Sequence, residues 1–139
     1  MSRTLARTAL IVRIVVALVL LQTLFFKFTG AAESVFIFTK IGMEPVGRIG
    51  SGIAEGIAAA MLLSRAEAFI VLGAGMALMV ILGAILAHFT VLGIEVEGDG
   101  GLLFVLALVV FFGSIFTLVV HRAGLAMWWS RFAAARSAE

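Results

Sequence analysis

Four runs of about twenty mostly apolar residues, at 8–28, 46–63, 66–91 and 102–121, take up most of this 139-residue chain. At 1.5 Å per residue, about twenty helical residues cross a hydrocarbon core of roughly 30 Å. A bilayer offers backbone N–H and C=O groups no outside partner, so a spanning segment must satisfy them internally, as a helix or as a closed barrel. None of the four runs alternates apolar and polar residues with the period of two that a barrel strand needs. The fold expected is an all-α membrane protein, a four-transmembrane-helix bundle forming a single integral membrane domain over 1–139.

Composition agrees. The chain is 63% hydrophobic and 13% charged, with a mean hydropathy of +1.24, whereas soluble domains carry roughly 25% charged residues. The net charge of +2 does not point to nucleic acid, because the arginines gather towards the chain ends and the polar turns. Arg3, Arg7, Arg65, Arg122, Arg131 and Arg136 fall on segments that four crossings place on one side. The positive-inside rule makes that side the cytoplasm, with both termini inside. The opposite side receives the loop "TGAAESVFIFTKIGMEP" and the acidic turn "IEVEGDGG". Arg13 within the first run, and the length of that run, argue for a retained helix rather than a signal peptide. In the tail 122–139, Trp128, Trp129 and Phe132 among arginines read as an anchor in the membrane interface. Val35 to Phe38 are too apolar for a solvated linker and are expected to form a short helix or dipping segment, either a lid or an interfacial staple. Pro45 suits the first turn of the helix that follows.

Ionisable residues inside the runs are the candidates for chemistry, since a charge in hydrocarbon is costly without a partner. Arg48 and Glu55 are seven residues apart, so they share one helical face within about 20° and stand about 10 Å apart along it. Gly52 and Gly56 form a GxxxG pair that admits a neighbouring backbone. Gly73, Gly75 and Gly83, with Met76 and Met79, give the third run a closely packing, pliable surface. Arg13 is expected to snorkel to the inner surface. Lys27 ends the first run, and His88 stands late in the third. Lys27, Arg48 and His88 are therefore the candidate binding residues, in the outer half, with Glu55, a carboxylate to be either paired or protonated at that depth, one to two turns deeper. The alternative is an internal salt-bridge network that only fixes packing. His88 and His121 each stand at a helix end, where an interfacial hydrogen bond is the simpler reading. A chain with no cysteine and two histidines shows no metal-ligand spacing, and thiol redox chemistry is excluded.

An arginine early in the first run, a lysine followed by "TG" at its end, a loop closing in "GMEP", "AEG" in the second run and "AHF" late in the third occur in an order similar to the DoxX-like family of four-helix membrane proteins. The likeness covers nearly the whole chain, with Arg13, Lys27, Pro45 and Glu55 at the matching positions and Leu24 departing from a position where the family tends to have glycine. The resemblance implies a bacterial-type inner (plasma) membrane protein, multi-pass, in the membrane half of an oxidoreductase assembly. It would hold no covalently bound cofactor, take a quinone or an anionic headgroup at Lys27, Arg48, Glu55 and His88, and receive electrons from a partner protein. Besides the lipid bilayer and that donor, a second copy of the chain is a partner to consider, and nucleic acid is not. The alternative functions are a small proton-coupled transporter, and a lipid-binding or structural membrane protein without turnover.

Overall fold

The computed structural model describes residues 1–136, without side-chain placement at 125, 127, 128, 131, 132 and 135. Every regular element among the described residues is helical. The order is α1 (Arg3–Thr29), α2 (Ala32–Lys40), α3 (Val46–Leu62), α4 (Glu67–Ala87), α5 (Leu102–Val120) and α6 (Arg122–Arg136), with a π-helical turn, His88–Leu92, continuing α4. Among the described residues, three helices are long and apolar enough to cross a membrane: α1, α4 with its π turn, and α5. The chain is a membrane protein by that measure. α3 has 17 residues, including Arg48 and Glu55, and is not among them.

α1, α3, α4 and α5 form a ring in which each packs on two neighbours, α3 between α1 and α4, and α5 between α4 and α1. Their facing residues make one core: Val16, Ala17 and Leu20 from α1; Ala58, Ala59 and Leu62 from α3; Ala74, Ala77 and Ile81 from α4; Ala107 and Val110 from α5. Small residues dominate because lipid is as apolar as a leucine side chain, so helices in a membrane gain by close approach rather than by hiding oil from water. Gly73 is the tightest case on α4. A Cβ there would stand 2.8 Å from the backbone nitrogen of Leu62 and 2.9 Å from the carbonyl oxygen of Ala58. Gly75 and Gly83, expected to pack in the same way, have open space where a side chain would be, because they fall on faces of α4 that no helix covers. Gly52 and Gly56 turn towards α1, where a Cβ would meet Phe28 and Leu24. The outward side chains, among them Leu18, Phe25, Ile53, Met79, Phe112 and Val119, are large, apolar and exposed. An open apolar groove of about 620 Å³ runs between α4 and α5, lined by Val71, Leu72, Gly75, Met76, Met79 and Leu118.

The ends of the helices are closed by specific groups. Ser2 caps α1, its hydroxyl accepting from the Leu5 N–H. Gly30 ends α1 at φ 66°, a left-handed conformation that glycine takes without strain. Pro45 directly precedes α3, and α2 forms the short helix expected of the apolar loop. Asp99 accepts from the N–H groups of Val96, Gly101 and Leu103, closing the turn that starts α5. Burial alone would raise the Asp99 carboxyl, but those three donors and the nearby His88 outweigh it and hold the group below the usual aspartate range. α6 returns onto α4, where Gly124 lies against Glu67 and Val71. In the expected anchor, Trp129 is exposed, while the side chains of Trp128 and Phe132 lie outside the described set.

Candidate functional site

Lys27 and Glu55 meet. The last turn of α1 brings the lysine against the middle of α3, where the smallness of Gly52 lets the two helices close: a Cβ on Gly52 would stand 3.6 Å from Lys27 Cβ. The ammonium nitrogen lies 2.6 Å from Glu55 Oε1, with side-chain exposures of 13% and 6%. Glu55 Oε2 is 2.7 Å from the hydroxyl of Thr23, one turn before Lys27 on the same face of α1. The Thr23 hydroxyl is also 2.7 Å from the Leu20 carbonyl, so two acceptors compete for its single proton. Phe38 of α2 lies over the Lys27 ammonium, 5.6 Å from nitrogen to ring centre, a cation–π contact. The apolar segment after α1 thus covers the charged pair.

Arg48 points elsewhere. Its Nε and Nη2 donate to the Glu44 carboxylate, with Nη2 2.7 Å from Oε1, and its Nη1 donates to the backbone carbonyl of Lys27. That carbonyl belongs to the last turn of α1, where no intrahelical N–H remains for it, and a cation there also favours the helix dipole. The hydrogen bond from Arg48, helped by its charge and outweighing burial, holds Glu44 below the usual carboxylate range. Arg48 therefore joins α3 to the end of α1 and to the connection leading out of α2, and it does not reach the carboxylate seven residues on.

His88 is placed by the π turn. Its Nδ1 is 2.7 Å from the Gly93 carbonyl oxygen, and its ring meets Phe104 of α5 edge to face at 5.4 Å. These contacts hold the turn after α4, which is the bland reading of a helix-end histidine. Of the four candidate residues, the structure brings Lys27 and Glu55 together, sets Arg48 beside them through backbone only, and gives His88 partners of its own.

Thr23 and Glu44 were not singled out in the sequence, although both carried a signal. Each lies four residues from a charged candidate, Thr23 before Lys27 and Glu44 before Arg48, the spacing at which helical side chains touch.

At the other end of the ring, Arg13 does not snorkel. It is 9% exposed and donates from Nη2 to the Ser64 carbonyl at 3.1 Å, in the connection between α3 and α4. That carbonyl follows the end of α3, and Arg13 meets it from inside the bundle. Glu67, in the first turn of α4, interacts electrostatically with the guanidinium and lies 2.8 Å from Nδ1 of His121. His121 is buried because α5 ends with it facing α4, and its hydrogen bond is to the half-exposed Glu67. No group of three or more histidine, aspartate or glutamate side chains among the described residues is arranged to hold a metal ion.

No family model matches this chain, and neither the curated proteins nor the solved structures include one similar to it.

Proposed function

We propose that the chain crosses the membrane four times, with α3 as the fourth span and both termini cytoplasmic, and that the Lys27–Glu55 pair is its headgroup site. The observation that carries this reading is the buried ion pair between α1 and α3, roofed by Phe38 of α2. Intramembrane charges of this kind mark functional sites more often than not. The donors available select the ligand. Lys27 has three N–H donors, of which Glu55 engages one and the face of Phe38 another, leaving one for a carbonyl oxygen. An anionic headgroup would meet the Glu55 carboxylate as well, so a neutral carbonyl such as that of a quinone suits the residues better. A motif order similar to that of DoxX-like proteins supports the same reading, in which the chain is the membrane subunit of an oxidoreductase assembly in a bacterial-type inner membrane.

A quinone bound there would supply the acceptor for two electrons and two protons, the electrons coming from a partner protein. The protein's own share is positional. Lys27 orients a carbonyl oxygen, Glu55 holds or releases a proton at Oε2, and Thr23 turns its hydroxyl to accept from a protonated Glu55 or donate to an ionised one. α2 limits access of water to the pair.

Binding of a short-chain quinone to purified protein in nanodiscs tests this. Saturable binding by the native chain, weakened at least tenfold in Glu55→Gln and Lys27→Ala while both variants keep their helical content and unfolding transition, supports the site. Equal binding by all three proteins leaves the pair as a packing lock, the reading favoured by the fact that both carboxylate oxygens already have partners. Substrate-driven proton movement in liposomes would establish the transporter instead.

A further inference from the structure

The outward face of α1 is apolar over most of its length, with one interruption. Gln22, the chain's one glutamine, stands about 6 Å along the axis from the middle of the run 8–28, and it is exposed. Among the described residues its amide has no hydrogen-bond partner. The nearer end of the run is about 9 Å further on, and helical side chains lean the other way, towards the N-terminus, so the amide does not reach water. On a spanning helix two N–H donors and a carbonyl oxygen are thus left in hydrocarbon, which is costly unless a partner meets them inside the membrane.

The residues around Gln22 define that partner. Ile11, Val15, Leu18, Gln22, Phe25 and Thr29 are all exposed and follow one another at alternating steps of four and three, the repeat of a coiled-coil seam. The seam lies about half a turn away from Ala9, Val16 and Leu20, which α1 turns into the bundle. Val15, Gln22 and Thr29 fall at one core position of the heptad, and Ile11, Leu18 and Phe25 at the other. β-Branched residues at the first position with leucine at the second favour two strands, and a single polar residue at the first fixes the register. Copies inserted in the same sense are related by a two-fold axis along the membrane normal, so equal residues meet at equal depth. A side-chain amide both donates and accepts, so two Gln22 side chains satisfy each other by reciprocal N–H···O bonds.

We propose that two copies of the chain pair in parallel along this face of α1, with their Gln22 amides hydrogen-bonded across the two-fold axis inside the membrane. Ile11, Val15, Leu18 and Phe25 supply the packing. Lys27 points to the opposite side of α1, where Glu55 meets it, so the pairing does not rest on the proposed headgroup site.

Because the chain has no cysteine, single cysteines introduced into it report the interface directly. Full-length Leu18→Cys and Phe25→Cys in phosphatidylcholine vesicles should each give a disulfide-linked dimer under mild oxidation. Met79→Cys and Phe112→Cys, exposed on α4 and α5, should give at least fivefold less. Energy transfer between copies carrying donor and acceptor dyes at the amino terminus measures the pairing without a cross-link. Gln22→Leu should weaken it at least threefold, and Gln22→Asn, which keeps the amide, should retain most of it. Energy transfer by the native chain no greater than random proximity gives overturns the proposal. So does equal cross-linking at Met79→Cys and Leu18→Cys, or a Gln22→Leu chain that pairs as tightly as the native one. Should Gln22→Leu lose its helical content, the cross-linking pattern with Gln22 in place decides alone.

Discussion

At the Lys27 end of the bundle, the two oxygens of Glu55, the Lys27 ammonium and all three guanidinium nitrogens of Arg48 have partners within the chain. At the Arg13 end, His121 pairs with Glu67 and Arg13 donates to the Ser64 carbonyl, with Arg13 Nε and His121 Nε2 left without a partner. Similar residue types thus give a closed arrangement at one end and an open one at the other. Where carboxylates and cations already match, a ligand has only the remaining Lys27 N–H to bind without displacing an internal partner. Counting charges does not separate the two cases; following each nitrogen and oxygen to its partner does.

The largest effect that would break this contrast is at Glu55. Replacing it with alanine strands Lys27 in a dry interface and should cost about 3–5 kcal/mol in an unfolding titration, whereas the paired change Lys27→Met with Glu55→Leu should recover most of it. If the single and paired changes cost the same, the pair is not the closed lock described. Next comes Arg13→Met, which removes a charged donor from the Ser64 carbonyl and should cost about 1.5–3 kcal/mol by the same measurement. A cost near zero would mean that Arg13 reaches water after all.

Smaller is the acid sensitivity of the turn before α5. Because the Asp99 carboxyl sits lower in the folded chain than when unfolded, its contribution is complete above the ordinary aspartate value of about 3.9 and is lost as pH falls from there through the folded value. Unfolding followed below about pH 4 should therefore show an acid limb that is shallower in Asp99→Asn. An identical limb in both proteins would assign the sensitivity to other carboxylates. The smallest effect belongs to the open glycine. Gly75→Ala meets nothing within 4 Å and should raise helix stability by about 0.5–1 kcal/mol, while Gly73→Ala, set against the α3 backbone, should lower stability.

Much of the fold was legible because long apolar runs and their polar breaks are one-dimensional signals. The helix positions and the short helix at 32–40 follow from them, and the depth of Glu55 relative to Lys27 follows from a count of turns. The partners of Arg48, Arg13 and His121 do not. Each depends on where a connection turns back: the segment before α3 delivers Glu44, and the link between α3 and α4 delivers the Ser64 carbonyl and Glu67. Snorkelling was the reasonable expectation for an arginine near a helix end, and it failed because a neighbouring helix ended at the same height and offered a free carbonyl. His88 read as a member of the site because its depth was right; the π turn, which no spacing announces, gave it the Gly93 carbonyl instead.

The close seating of Gly73 on the backbone of α3 has a consequence for biogenesis. In the four-span reading, α3 is too short and too charged to partition from the translocon by its own apolarity, with Arg48 and Glu55 in only 17 residues. α4 is long and apolar, follows after a brief link, and fits α3 without a side chain between them at Gly73. On that reading the two would enter the bilayer as a hairpin, with Lys27 on the already inserted α1 receiving Glu55. A bulky residue at position 73 would then be felt during synthesis, as α3 left outside the membrane, before it was felt as lost stability in the finished protein.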